Sequence, residues 1–143
     1  MISRAMIPLL LKGKLKTLVT TASVGAFVVG PTLSAYQTSK LAVLRLTDFI
    51  AQEYAIQGVI AFNIHPGNIM TDMTSGVDES IRHIFTETPE LPADSLVYLT
   101  KERREWLGGR YINCTWDLPE LTSPEMKAKI VDGDRLKVTL SLP

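Results

Sequence analysis

The chain has 143 residues, room for one domain with one core, and its 45% apolar and 21% charged residues are ordinary for a globular protein. Lysine plus arginine equals aspartate plus glutamate at 15 each, and the resulting zero formal charge argues against nucleic acid or an anionic membrane surface as the main partner. The single cysteine, Cys114, excludes an internal disulfide and fits a reducing, cytoplasmic setting, and no apolar run approaches the roughly 18 residues of a membrane span.

Arg4 followed by Ala5 to Leu11 has the outline of a weak secretory leader. The run is short, contains Pro8 and meets Lys12, Lys14 and Lys16 where a small-residue cleavage site would stand. Residues 2–11 are therefore predicted as a helix ended by Gly13. Residues 15–22 are rich in branched side chains and predict a strand. An apolar, glycine-containing loop from Ser23 to Pro31 follows. Ser34 and Gln37 have capping-box spacing at the start of a helix expected to run to Gln57 and stop at Gly58. Its apolar residues are spread too widely for one exposed amphipathic helix, so it should pack on a sheet and also meet another surface.

Val59 to Ile64 is almost entirely apolar, the pattern of a strand buried on both faces in a parallel sheet, and His65-Pro66-Gly67 ends it. A polar loop with a short helix near Glu79 to Phe85 is expected next. Pro92 to Trp106 predicts a helix stopped at Gly108-Gly109, and Arg110 to Trp116 predicts a third strand. Ser123-Pro124 has the form of an N-cap with proline at the first helical position, and Asp132-Gly133 of a turn. Leu136, Val138, Leu140 and Leu142 alternate like a last extended segment. The alternation of helix and strand predicts an α/β fold with a parallel sheet, of which only three strands are evident. There are no repeats and no low-complexity segment.

Three residues carry the chemistry. Tyr36 and Lys40 are four apart on a predicted helix and share one face. A free phenol, with a pKa of about 10, is a poor acid–base catalyst at neutral pH. A neighbouring cation and the positive end of a helix both favour its ionised form. Ser23 lies at the end of the preceding strand, where open α/β sheets bind ligands. Alone, a tyrosine and a lysine four apart describe many surface helices, and the surrounding motifs give the pattern its weight. His65, His83 and Cys114 are the only soft metal ligands and lack zinc-like spacing, so no metal site is expected. Met70 and Met73 either line an apolar pocket or anchor their loop, and Trp106 is expected to pack in the core.

The motifs T-T-A-S at 20–23, A-Y-Q-T-S-K at 35–40 and H-P-G-N-I-M-T at 65–71, with the serine 13 positions before the tyrosine, resemble the short-chain dehydrogenase/reductase family over about residues 1–116. The stretch E-R-R-E-W-L-G-G-R-Y with Trp116-Asp117 is most similar to fungal members, many of them in secondary metabolism. The resemblance implies a partial Rossmann-like, doubly wound parallel sheet in residues 1–116 and a C-terminal tail in 117–143. It implies Tyr36 as proton donor or acceptor. Lys40 would tune Tyr36 and bind the nicotinamide ribose, and Ser23 would orient a substrate carbonyl or hydroxyl. Pro66, Gly67, Ile69 and Thr71, with Tyr36 and Lys40, would contact NADP or NAD, NADP being the expected choice. The expected activity is NAD(P)-dependent interconversion of a small-molecule carbonyl and a secondary alcohol. A homodimer through the helices at 2–11 and 34–57 is also implied.

The family's N-terminal glycine-rich βαβ half, which holds the cofactor pyrophosphate at a helix N-terminus, has no counterpart in this sequence. Three explanations stand: a gene model that starts late, a truncated and catalytically silent paralogue acting as a binding or scaffold module or without function, or a partner chain that supplies the other half. On its own the chain would bind a dinucleotide weakly and leave an open sheet edge at its first strand.

Overall fold

The computed structural model describes residues 2–139. Its elements alternate: α1 (Ile2–Leu10), β1 (Thr17–Thr21), α2 (Ser34–Glu53), β2 (Ile60–His65), α3 (Glu90–Thr100), β3 (Tyr111–Asn113), α4 (Leu118–Leu121) and α5 (Pro124–Asp132). The three strands form one parallel sheet in the order β1-β2-β3. The α/β class and the parallel sheet are as the sequence predicts.

β2 lies in the middle and every residue of it is buried. Its side chains alternate between two cores, as the two-residue period of a strand requires. Ile60, Phe62 and Ile64 point to one face, where they meet Leu99 of α3, Leu107, Ile112, Cys114 and Leu118. Ala61 points to the other, into a cluster with Ile7 of α1, Ile50 of α2 and Val59. Full burial of each large aliphatic or aromatic side chain here contributes about 1.5–3 kcal/mol. Leu118 and Leu136, both after Trp116, join the first cluster. Residues from the expected tail thus pack against the sheet domain.

Several local expectations are corrected. Ser34 is the first residue of α2 and makes no cap, because Gln37 turns away and its Oε1 accepts the Gly30 amide at 2.9 Å. The side chain that would have closed a capping box instead holds the preceding loop against the helix. α2 ends at Glu53, and a 3-10 turn, Ala55–Gln57, carries the chain to Gly58. The helix expected over 92–106 is α3 followed by a separate 3-10 turn, Glu105–Leu107. Arg104 separates them, its guanidinium over the Tyr98 ring at 5.0 Å. β3 is three residues long, not seven, since Trp116 turns back with its amide on the Asn113 carbonyl at 3.1 Å. The short helix near Glu79 is a 3-10 helix, Glu79–Ile84. Leu136 has a left-handed φ of 64°, which breaks the alternation expected from it onward, and Leu140 and Leu142 lie outside the described residues. Among the described residues β1 pairs with β2 alone, so its other edge is open.

Candidate functional site

All three strands run the same way, so their carboxyl ends open on one side of the sheet, and a cleft of about 200 Å³ lies there. The segments that leave β1 and β2 form its walls, and the first turns of α2 close one side. Ser23, Tyr36, Lys40, Pro66, Gly67, Ile69 and Thr71 all line it. The sequence expectation placed these seven at one site, and the fold brings every one of them to the same cleft.

Ser23 follows β1 and starts a 3-10 turn, Val24–Phe27. Its Oγ accepts the Gly25 amide at 3.0 Å, which fixes the hydroxyl while leaving its proton to donate. A Cβ placed on Gly25 would stand 3.2 Å from the Ser23 Oγ and 3.3 Å from Cε1 of Tyr36. Serine and tyrosine therefore flank one point, and a glycine there lets the turn approach both. Tyr36 sits in the first turn of α2, one helical turn before Lys40. The Lys40 ammonium lies 5.8 Å from the centre of the Tyr36 ring and donates to the Thr21 carbonyl at 3.0 Å. One of its three N–H bonds is thereby committed to the end of β1. Ser39 donates to the Tyr36 carbonyl at 2.7 Å. It serves the helix backbone, not the cleft.

The opposite wall starts at Pro66-Gly67. Gly67 has a φ of 101°, and a Cβ on it would press to 3.0 Å against Glu87. The turn therefore needs glycine on two grounds. Glu87 in turn accepts the Asn68 amide at 2.8 Å, tying the outgoing chain to the segment before α3. Thr71 and Thr74 cap each other across a short 3-10 turn, the Thr71 amide donating to the Thr74 Oγ1 at 2.7 Å. Met73 lines the cleft and is 76% exposed, while Met70 stays outside it as a sulfur acceptor for Thr74.

His65 was not singled out for the site, yet it lines the cleft floor. It is 5% exposed, and its Nδ1 is buried without a hydrogen-bond partner. Burial lowers its pKa below the ordinary imidazole value, with Glu87 acting weakly the other way. The ring is therefore held neutral. Strand alternation carries the signal that could have found it: two residues after Asn63, it shares the face that α2 covers. Trp106 packs against the main core, as expected. Cys114 is buried and its thiol pKa is pushed up, so it is held as an unreactive thiol. No group of potential metal ligands occurs among the described residues, and no described helix is long and apolar enough to cross a membrane.

The solved structures that this fold matches include 7α-hydroxysteroid dehydrogenase complexed with NADH and 7-oxo glycochenodeoxycholic acid, with a TM-score of 0.69 and 21% identity over 78% of this chain and 48% of that one. NADPH-bound carbonyl reductase from chicken fatty liver matches with a TM-score of 0.63 and 22% identity, covering 79% of this chain and 48% of that one. At that identity the likeness is one of fold.

Sequence relatives are much nearer. The short chain dehydrogenase pigC of Monascus ruber is 53% identical over 141 residues, 96% of this chain and 46% of that protein. The short chain dehydrogenase andI of Emericella variicolor is 46% identical over 138 residues, 96% of this chain and 47% of that protein. The chain thus spans about half the length of the curated relatives it matches. The family model for short chain dehydrogenases matches residues 1–82, the stretch that holds Ser23, Tyr36, Lys40 and the Pro66-Gly67 turn. By that match and by these relatives, the chain belongs to the short chain dehydrogenase family.

Proposed function

We propose that this chain carries the proton-transfer site of an NAD(P)-dependent oxidoreductase that interconverts a carbonyl and a secondary alcohol. The observation that supports it is the convergence of Ser23, Tyr36 and Lys40 on one cleft beside the Pro66-Gly67 turn. The roles are those the residue chemistry allows. Ser23, with its proton free, holds the substrate oxygen. In the reducing direction the Tyr36 phenol gives its proton to that oxygen, and in the oxidising direction the phenolate takes it back. The Lys40 ammonium, 5.8 Å from the ring, stabilises the phenolate left after transfer.

The donor set fits the nicotinamide end of a dinucleotide. Lys40 retains N–H donors for ribose hydroxyls, and Pro66, Gly67, Ile69 and Thr71 border the same cleft. Bound there, the nicotinamide supplies or accepts the hydride, chemistry that belongs to the cofactor. NADP is our choice over NAD, and a cytoplasmic step of a fungal biosynthetic pathway is the setting. Residues 1–116 are taken as the catalytic half of the domain and 117–143 as its tail. α1 and α2 leave Met6, Leu9, Leu41, Leu46 and Phe49 exposed, and a homodimer through these helices would bury such residues. Sedimentation of the wild type against Phe49→Glu tests that arrangement, which is abandoned if both sediment as monomers.

The activity is tested by following NADPH oxidation with a panel of ketones. Tyr36→Phe should lower kcat by about 100-fold or more while leaving NADPH binding within about twofold, because a general acid contributes that much to rate and the phenyl ring still fills the site. No measurable NADPH binding by the wild-type chain would favour instead the silent, scaffold-like alternative.

A further inference from the structure

The cleft is poor in charge. Among its described lining residues Lys40 alone carries a formal charge. That ammonium is engaged with the Thr21 carbonyl at 3.0 Å and stands beside the Tyr36 ring. An acid bound to it would occupy the place where proton transfer occurs, so Lys40 cannot also recognise an ionised group elsewhere on a substrate. The one other titratable base, His65, is buried and held neutral.

None of the charged residues on the segment after Gly67, Asp72, Asp78, Glu79, Arg82 and Glu87, lines the cleft, and three of them make local hydrogen bonds. Asp78 accepts from the Ser80 amide at 2.9 Å and the Ser80 hydroxyl at 2.6 Å. Arg82 reaches back to the Ser75 carbonyl at 3.3 Å. The Glu87 carboxylate is engaged by the Asn68 amide at 2.8 Å. What lines the cleft from that segment is Ile69, Met73 and Phe85, together with Asn68 and the threonines Thr71 and Thr74, whose polar atoms cap one another.

We propose that the substrate of this site is an uncharged carbonyl compound or secondary alcohol on an apolar body, and that carboxylate- or phosphate-bearing analogues are disfavoured. The proposal rests on the oxidoreductase reading for the word substrate, but the preference is one of binding and stands apart from turnover. An ionised group brought into such a cleft gives up its hydration and finds no opposite charge in return except Lys40, which stands where the reacting oxygen must sit. A neutral apolar body loses nothing of the kind and gains apolar contact.

The test uses the full chain and two probes of similar shape, acetophenone and its ring-carboxylated analogue acetylbenzoate, with dissociation constants from calorimetry. Acetophenone should bind at least about tenfold more tightly, a modest demand for leaving a charge without a partner. Met73→Lys places a cation at an exposed position on the cleft wall and should narrow or reverse the preference without a change in folding. Equal or tighter binding of acetylbenzoate to the wild type, or no binding of either probe, overturns the proposal. NADPH oxidation is scored separately. A binding preference without turnover of any ketone tells against the oxidoreductase reading alone. Turnover of both probes with equal kcat/KM tells against the substrate class alone.

Discussion

Thr20 of β1 and Asn63 of β2 are register partners in the parallel sheet, and the threonine hydroxyl donates to the Asn63 side-chain oxygen at 2.6 Å. The same hydroxyl lies 2.8 Å from that of Thr47, a fully buried residue two turns along α2 from Lys40. Thr47 also reaches the Val43 carbonyl at 2.9 Å. Three short polar side chains thus tie the helix that carries Tyr36 and Lys40 to the two strands whose ends carry Ser23 and His65. Side-chain hydrogen bonds hold a helix in one register against a sheet, where apolar contact alone would let it slide.

Asn63→Ala should therefore destabilise the fold by about 2–3 kcal/mol, since it removes an acceptor and leaves a buried hydroxyl short of a partner. Thr47→Val, which keeps the shape, should cost less, about 1 kcal/mol. Urea denaturation of the two variants checks the order. Equal, negligible costs would mean that this network does not anchor α2.

His65 gives a stability term with a definite sign. Its native pKa lies below the ordinary imidazole value because burial disfavours the charged ring. Between the two values the unfolded chain binds a proton that the native one does not, so stability falls as pH drops through about 6.5 and levels off below the native value. His65→Gln should flatten this acid limb, as read from denaturation midpoints on either side of that pH. If the variant keeps the full wild-type slope, the effect belongs to other groups.

Tyr111 makes a parallel case at high pH. Its hydroxyl is buried without a partner and its pKa is pushed up to about 12, chiefly by burial. The unfolded phenol ionises near 10, so between the two values stability falls as pH rises. The ring itself packs edge-on against Phe27 at 4.9 Å and Trp116 at 6.0 Å, contacts a phenylalanine would keep. Tyr111→Phe should thus raise stability by about 1 kcal/mol at neutral pH by removing an unsatisfied polar group, and should weaken the alkaline decline. A clear loss of stability would show that the hydroxyl makes a bond unseen among the described residues.

Much of this was legible in the chain itself. A nearly all-apolar run such as Val59 to Ile64 reads as a strand covered on both faces, because half-covered strands alternate. Tyr36 and Lys40 share a face by helical periodicity alone, and the spacing of Ser23, Tyr36 and Pro66-Gly67 carried the family. Element ends were less legible. Gln37 had the right spacing for a capping box but spends its side chain on Gly30, and the strand from Arg110 ends at Asn113 because the chain there turns back on itself. Local propensity cannot foresee such choices, which are made by whichever partner the fold brings near.

His65 marks the boundary most clearly. As a residue type next to Pro66-Gly67 it looked like part of a strand end. That it is buried, neutral and part of a cleft depends on what α2 and the Glu87 segment set around it. Sequence periodicity determines which side chains face the same way along one element, since backbone geometry repeats. The surroundings of each group, and so its charge and its chemistry, are decided only when distant elements pack, because desolvation and hydrogen bonding act over a few ångströms of space and take no account of distance along the chain.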